Sequence, residues 1–363
     1  MSPVSRRVRV VAAVWLVAAA GSILGLAGEA WLRYQRLQDA RASERFRATN
    51  VFFANAMELQ AGTHSLWAER WQEYQPGAKV DVVVGGERFV VEMNSRGYRT
   101  REFAVPKPPG VVRVICIGGS TTVAGRTNQE TYPALLERKL AARFPGLRIE
   151  VLNLGVSAVT SEYWHARLDR VFAYEPDILV HYDAINDISW RHFPRFAAAH
   201  RMRGLAYRSL LLERLFPFPV EELDPYLNDT FVTLGATARA CAARGVAYLG
   251  ATFAAPDPER ARGDFRRHLD HNTEFWTRRF PLRSYATWAA IVRRYDRLYV
   301  EFAERYHVPY VLAHQQLDDP ALFIDVCHFT PEGIDRLAGV FLPPVADLVE
   351  ATPAGRAGRR EER

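Results

Sequence analysis

The run Val-Val-Arg-Val-Ile-Cys-Ile-Gly-Gly-Ser-Thr-Thr at residues 111–122 constrains this chain more than any other stretch. Val and Ile favour extended backbone, and an apolar run broken only by Arg113 suits a strand covered on both faces. Such a strand belongs inside a parallel sheet layered with helices. The run stops at Gly118-Gly119, which permit a tight turn, so the next side chain, Ser120, is lifted clear of the strand end. Two readings remain open at this point. Ser120 or Thr121 caps a helix in an ordinary strand-to-helix turn, or Ser120 is a nucleophile, held rigidly yet reachable by a carbonyl carbon.

From residue 111 the chain alternates strands with helices. Strands are expected at 111–117, 149–154, 178–182, 246–251 and 309–313. Between them apolar residues recur at helical spacing, as in Leu136, Leu140 and Phe144, or Trp164, Leu168, Val171 and Phe172. Trp288, Ile291, Val292, Tyr295, Leu298, Tyr299 and Phe302 form the longest such stripe, which reads as core packing. A last helix is expected to begin with Thr330 as cap and Pro331 at its first position, ending near residue 349. The alternation predicts an α/β fold with a parallel sheet covered on both sides. Two stretches interrupt it, 189–227 and 256–283, both rich in Arg, His and aromatic residues. They are expected either to wall a substrate cleft or to form solvated surface with aromatic staples.

The amino end carries Arg6, Arg7 and Arg9 and then an uncharged apolar run over residues 10–28, about the length that spans a bilayer as a helix. An uncleaved anchor is the preferred reading, with a cleavable signal peptide as the alternative. With the basic residues 1–9 on the cytoplasmic side, everything after residue 28 is exported. That places the chain in a bacterial inner membrane as a single-pass protein with its main domain periplasmic or extracellular. Arg33, Arg36, Arg41, Arg45 and Arg47 follow the run and weaken the charge asymmetry. Residues 29–105 are expected to form a helical stalk and a small β-hairpin turning at Gly85-Gly86. The main domain is expected at 106–350 and a disordered basic tail at 351–363.

The net charge of +6 and a pI near 9.3 come from dispersed basic residues, with no run that reads as a nucleic-acid arm. Cys116, Cys241 and Cys327 have no metal-ligand spacing, and an odd number excludes a fully paired disulfide framework. His181 with Asp183 offers two potential ligands, too few for a metal site. Neither a metal nor another cofactor is expected.

In an open parallel sheet ligands bind beyond the carboxyl ends of the strands. The polar residues there are Ser120 after the first strand, Gly155 after the second, Asn186-Asp187 after the third, and Asp325 and His328 after the fifth. The set fits acyl transfer. His328 is a base for Ser120, and Asp325 holds the other ring nitrogen. The N–H groups of Ser120 and Gly155 and the Asn186 amide supply oxyanion donors. Thr121, Asp187 and Trp190 are candidate substrate-binding residues beside them.

Gly-Gly-Ser120, Gly155, Asn186 in Ala-Ile-Asn-Asp, and Asp325-Val-Cys-His328 resemble, in order and spacing, the four motif blocks of the SGNH (GDSL-like) hydrolases. The resemblance covers roughly residues 90–345, and residues 94–99 look like a segment that precedes the first block in membrane-linked members. It implies a flavodoxin-like three-layer α/β/α fold with a five-stranded parallel sheet of order 2-1-3-4-5. It also implies metal-free ester hydrolysis with Ser120 as nucleophile, His328 as base, Asp325 as orienting acid, and Gly155 and Asn186 in the oxyanion hole. Two positions depart from the family pattern: Gly119 stands where Asp is usual before the serine, and Ala184 where Gly is usual in the third block. An exported esterase suggests an acetylated envelope or extracellular polysaccharide, anionic if the arginines of the walls face it. Other readings are an O-acetyltransferase acting on an exopolysaccharide, a lysophospholipase, or a non-catalytic polysaccharide-binding protein of the same fold.

Overall fold

The computed structural model describes residues 6–50, 73–84, 87–277, 280 and 282–361. An antiparallel pair, β1 (Lys79–Val84) and β2 (Glu87–Glu92), precedes the sheet, with Val82 opposite Phe89. The turn expected at Gly85-Gly86 lies outside the described residues. Five parallel strands then form one sheet: β3 (Val111–Gly118), β4 (Arg148–Asn153), β5 (Ile178–Tyr182), β6 (Ala247–Ala251) and β7 (Tyr310–Val311). Their order is β4-β3-β5-β6-β7, the expected 2-1-3-4-5 arrangement. β3 is buried along its whole length, as a central strand paired on both edges must be.

The helices used below are α1 (Arg6–Thr49), α2 (Ser120–Val123), α3 (Tyr132–Arg143), α4 (Arg201–Ala206), α5 (Leu210–Leu215), α6 (Asp224–Ala242), α7 (Gly263–Trp276), α8 (Tyr285–Arg305), α9 (Pro331–Ala351) and α10 (Pro353–Glu361). α3 packs with α9, and α6 with α8, as the two helical layers flanking the sheet. The stripe from Trp288 to Phe302 is the buried face of α8. Thr330 caps α9 as expected, its Oγ1 accepting from Gly333 N at 3.2 Å. The tail differs from expectation: residues 353–361 are helical, because Thr352 accepts from Gly355 N and starts a new helix.

Arg113, the one charge in the β3 run, is fully buried. Its Nε and Nη2 donate to Glu150 Oε2 at 2.9 and 2.7 Å, Nη1 to Tyr174 O at 2.7 Å, and Nη2 also to Ala104 O at 2.9 Å. A buried charge persists only when paired and hydrogen-bonded in this way. Glu150→Ala leaves the guanidinium without its counter-ion and is expected to cost about 3 kcal/mol of stability. Urea denaturation measures this; a loss no larger than that of a surface substitution would mean the guanidinium is hydrated.

α1 is one continuous helix whose apolar amino-terminal half is exposed, long and apolar enough to cross a membrane. Its carboxyl half, expected as a helical stalk, is helical and lies against α7. Arg36 donates to Asp270 O at 2.9 Å and Glu274 at 3.0 Å, Arg45 pairs bidentately with Asp264, and Ser43 Oγ lies 2.8 Å from His268 Nδ1. Phe46 stacks on His268 with ring centres 4.7 Å apart. Two of the arginines that blurred the charge asymmetry therefore hold α1 against α7.

Candidate active site

β3 ends at Gly118, whose φ of 156° and crowded surroundings admit no side chain: a Cβ there would lie 2.2 Å from Tyr182 O on the neighbouring strand. The chain turns directly into α2, so Ser120 sits at the first position of a short helix beyond the sheet edge. Its Oγ lies 2.8 Å from His328 Nε2. On the far side of the imidazole, His328 Nδ1 lies 2.7 Å from Asp325 Oδ2. Ser120 and His328 are each 7% exposed, so the pair is enclosed but still reached by solvent.

Asp325 owes its position to a small closed loop. Phe323 and Phe329 bridge, Ile324 N donates to His328 O at 2.9 Å, and Asp325 Oδ1 accepts from Cys327 N and His328 N at 2.8 and 2.7 Å. One carboxylate thus fixes both the loop and the ring. Burial opposes the charge on Asp325, yet His328 and these N–H groups outweigh it and hold the carboxyl below its usual value. Burial also opposes protonation of His328, but the charge of Asp325 and its hydrogen bond raise the imidazole above 6.5. Asp325, Cys327 and His328 put three metal-ligand atom types within 4.8 Å of one another. The grouping follows from the loop just described. Burial and the Asp325 charge push the Cys327 thiol well above its usual value, which makes it a poor metal ligand at neutral pH.

Asn186 stands against Gly119. Its Nδ2 donates to Val159 O at 2.8 Å and its Oδ1 accepts from Trp190 Nε1 at 3.0 Å. An indole N–H only donates, so the amide orientation is determined. A Cβ at residue 119 would meet Asn186 Nδ2 at 2.6 Å and Asp183 Oδ1 at 3.5 Å. The Asn186 amide and the Asp183 carboxyl therefore fill the space beside Gly119 where a larger residue would stand. Burial first, then the charge of Asp187, pushes the Asp183 carboxyl well above the usual carboxylate range.

Several of the other expected site residues have partners inside the fold. Gly155 N–H is already engaged by Asn153 Oδ1 at 2.9 Å, and Asn153 Nδ2 donates to Thr122 O at 3.0 Å, so Asn153 clasps the end of β4 to α2. Gly155 matters instead for close approach, since a Cβ there would meet Val123 N at 2.8 Å. Asp187 is fully buried and accepts from Ser161 N and Oγ at 3.0 and 2.8 Å, which makes it a tie within the fold and not a substrate contact. Thr121 is buried in α2; half-buried Trp190 directs its indole N–H to Asn186 and packs its ring beside Phe275 and Trp276, which leaves its expected place at the substrate open. Six arginines of the two walls are in ion pairs, Arg191 with Glu162, Arg195 with Asp229, Arg203 with Glu222, Arg260 with Asp318, Arg266 with Asp270 and Arg283 with Glu213, whereas Arg201, Arg208 and Arg214 are exposed. The charge of those six is answered within the protein, which weakens the ground for an anionic substrate.

Two residues escaped the sequence reading. Arg99, buried, donates to Val123 O, Gly125 O and Asn128 Oδ1 at 2.9, 2.8 and 3.1 Å and so pins the end of α2 behind Ser120. Its segment was flagged only as a block preceding the serine. Trp276 at the end of α7 places its ring 6.2 Å from that of His328, with Phe275 and Trp190 packed on it. The aromatic clusters in both walls were visible in sequence, but not which ring meets the histidine.

Residues 116–336 match the GDSL-like Lipase/Acylhydrolase family. No curated protein matches the chain. Among solved structures, an alpha/beta hydrolase enzyme from the metagenome of Lake Arreo, Spain, is 23% identical, with 66% of this chain and 96% of that one covered and a TM-score of 0.42. An acetylxylan esterase from Geobacillus stearothermophilus is 22% identical, with 64% and 92% covered and a TM-score of 0.41. A G-D-S-L family lipolytic protein from Desulfitobacterium hafniense is 11% identical, with 65% and 99% covered and a TM-score of 0.38. The family match runs from the last residues of β3 to the start of α9 and includes Ser120, Asn186, Asp325 and His328. This chain belongs to the GDSL-like lipase/acylhydrolase family and is a carboxylic ester hydrolase of the SGNH α/β fold.

Proposed function

We propose that the protein is a membrane-anchored serine esterase that removes acetyl groups from an envelope or extracellular carbohydrate. The observation that carries the reading is the unbroken relay from Ser120 Oγ through His328 to Asp325, with contacts of 2.8 and 2.7 Å. Ser120 Oγ attacks the ester carbonyl while His328 Nε2 takes its proton; the imidazolium then protonates the leaving alcohol. Water, activated by the same nitrogen, resolves the acyl-enzyme. Ser120 N–H, at the open amino end of α2, and the second Nδ2 hydrogen of Asn186 are the oxyanion donors.

Enclosure of Ser120 favours a small acyl group over a lipid chain. The ledge of Trp190, Phe275 and Trp276 suits the C–H face of a sugar ring. Residues 10–28 of α1 are the anchor and residues 106–350 the catalytic domain, held on the side of the inner membrane away from the amino end. Incubation with a panel of acetylated polysaccharides tests the reading by acetate release. An alkyl fluorophosphonate should label the wild type and leave Ser120→Ala unlabelled; failure to label the folded wild type would sink the catalytic assignment. Transfer of acetyl to an added sugar in place of release would point to a transferase.

Gly119→Ala probes the oxyanion donor. The new Cβ, 2.6 Å from Asn186 Nδ2, forces the amide away from Gly119. The expected result is a fall in kcat of about 10²-fold with KM little changed. Unchanged kcat would remove Asn186 from the oxyanion site.

A further inference from the structure

The insertion that carries α4 and α5 presents an apolar face that none of the described residues covers. Met202 and Leu205, three apart on α4, are exposed, as are Leu212, Leu215 and Phe216 at i, i+3, i+4 on and just after α5; Met202 is 78% and Phe216 63% exposed. The face is built, not frayed. Tyr207 OH donates to Phe216 O at 2.7 Å, Arg283 Nη1 to Tyr207 O at 2.7 Å, and Arg283 N to Glu213 Oε1 at 2.8 Å.

Its place relative to α1 says what covers it. Leu211 packs across Gly25 and Gly28, 4.0 and 3.8 Å from where their Cβ atoms would be, and Glu29 Oε2 accepts from Ser209 Oγ and Leu211 N at 2.9 and 3.0 Å. α5 is therefore clamped to α1 at the turn where the membrane-length apolar stretch ends. At that level α1 exposes Trp31 and Tyr34, the residue types that settle at a bilayer interface. Arg201, Arg208 and Arg214, exposed around the apolar side chains, suit anionic headgroups.

Resting on the reading of α1 as an anchor, we infer that the α4–α5 insertion is a lipid-binding wedge whose apolar face enters the outer leaflet of an anionic bilayer beside α1. The wedge and α1 form two attachments, so the domain cannot swivel on a single helix. α7 runs antiparallel to α1, with Glu274 beside Arg36 and Asp264 beside Arg45. Trp276, and with it His328, is therefore level with the α1 turn near Arg36, eight residues or about 12 Å above Gly28 at 1.5 Å per residue. The relay is thereby held close to the membrane surface, and its ester must be presented there.

The test uses the full chain in phosphatidylglycerol-containing nanodiscs. Cys116, Cys241 and Cys327 are buried, so an environment-sensitive fluorophore reports only introduced thiols. The variants are Leu215→Cys and Met202→Cys on the wedge, Leu16→Cys in the apolar half of α1, and Tyr306→Cys, exposed after α8. Lipids carrying a doxyl quencher near the headgroup are expected to quench the two wedge labels about twofold or more, as for an element seated at the acyl boundary. Lipids with the quencher near the acyl terminus should quench the Leu16 label, and neither lipid the Tyr306 label. Quenching at Leu16 without quenching at Leu215 and Met202 overturns the wedge and leaves the anchor standing. No quenching at Leu16 overturns the anchor and the wedge with it. A blue-shifted wedge label insensitive to doxyl lipid means that a second copy or another protein covers the face, and it too overturns the wedge.

Discussion

Replacing Ser120 with alanine is expected to lower kcat on an acetylated sugar about 10⁴- to 10⁶-fold while KM moves little. The deleted hydroxyl touches His328 and sits on α2, whose placement rests on Gly118, Asn153 and Arg99, so the scaffold survives the change. Residual activity would come from the oxyanion donors alone, acting on water in place of the serine. Steady-state kinetics with a thermal melt as control reads the effect. Activity within about tenfold of wild type would take Ser120 out of the chemistry.

Asp325→Asn is expected to lower kcat about 10⁴-fold, because the amide no longer holds His328 in the tautomer that leaves Nε2 free to accept a proton. The pH dependence carries a second signature. The proposed mechanism needs neutral His328, so kcat/KM is expected to be lost as pH falls through the imidazole pKa. In the wild type burial opposes the charge, but Asp325 outweighs it, so the acidic limb lies on the alkaline side of 6.5. In Asp325→Asn the burial remains and the carboxylate does not, so the limb moves to lower pH. A profile that stays in place would mean that a group other than His328 sets it. The same linkage acts on stability: the raised His328 stabilises the fold below 6.5, and that contribution is lost as pH rises through its folded value.

The sheet was legible because its signal is local. The β3 run, the strand ends after it and the α8 stripe each report their burial in a few consecutive residues, and parallel connection rules leave little freedom in how they assemble. Ser120, Asn186, Asp325 and His328 were legible for a related reason, since residues just after parallel strands must meet at one edge. Whether a given N–H or amide is free to act there was not legible. The Gly155 N–H is held by an asparagine two residues back, and Asn186 is oriented by an indole four residues on, and both depend on side-chain rotamers that no spacing encodes.

The sequence by itself determined the parallel α/β sheet, the apolar helix at the amino end and the four residues gathered at the strand ends, because each follows from periodicity or from fixed offsets along the chain. Tertiary structure alone decided which partners meet across long separations. It turned six arginines of the walls into ion pairs and laid the second half of α1 against α7. It also set Trp276 beside His328 and left Met202, Leu215 and Phe216 uncovered where α1 emerges from its apolar stretch. The physical reason is that pairing and exposure of a side chain depend on what the fold brings next to it, which the neighbours in sequence do not specify.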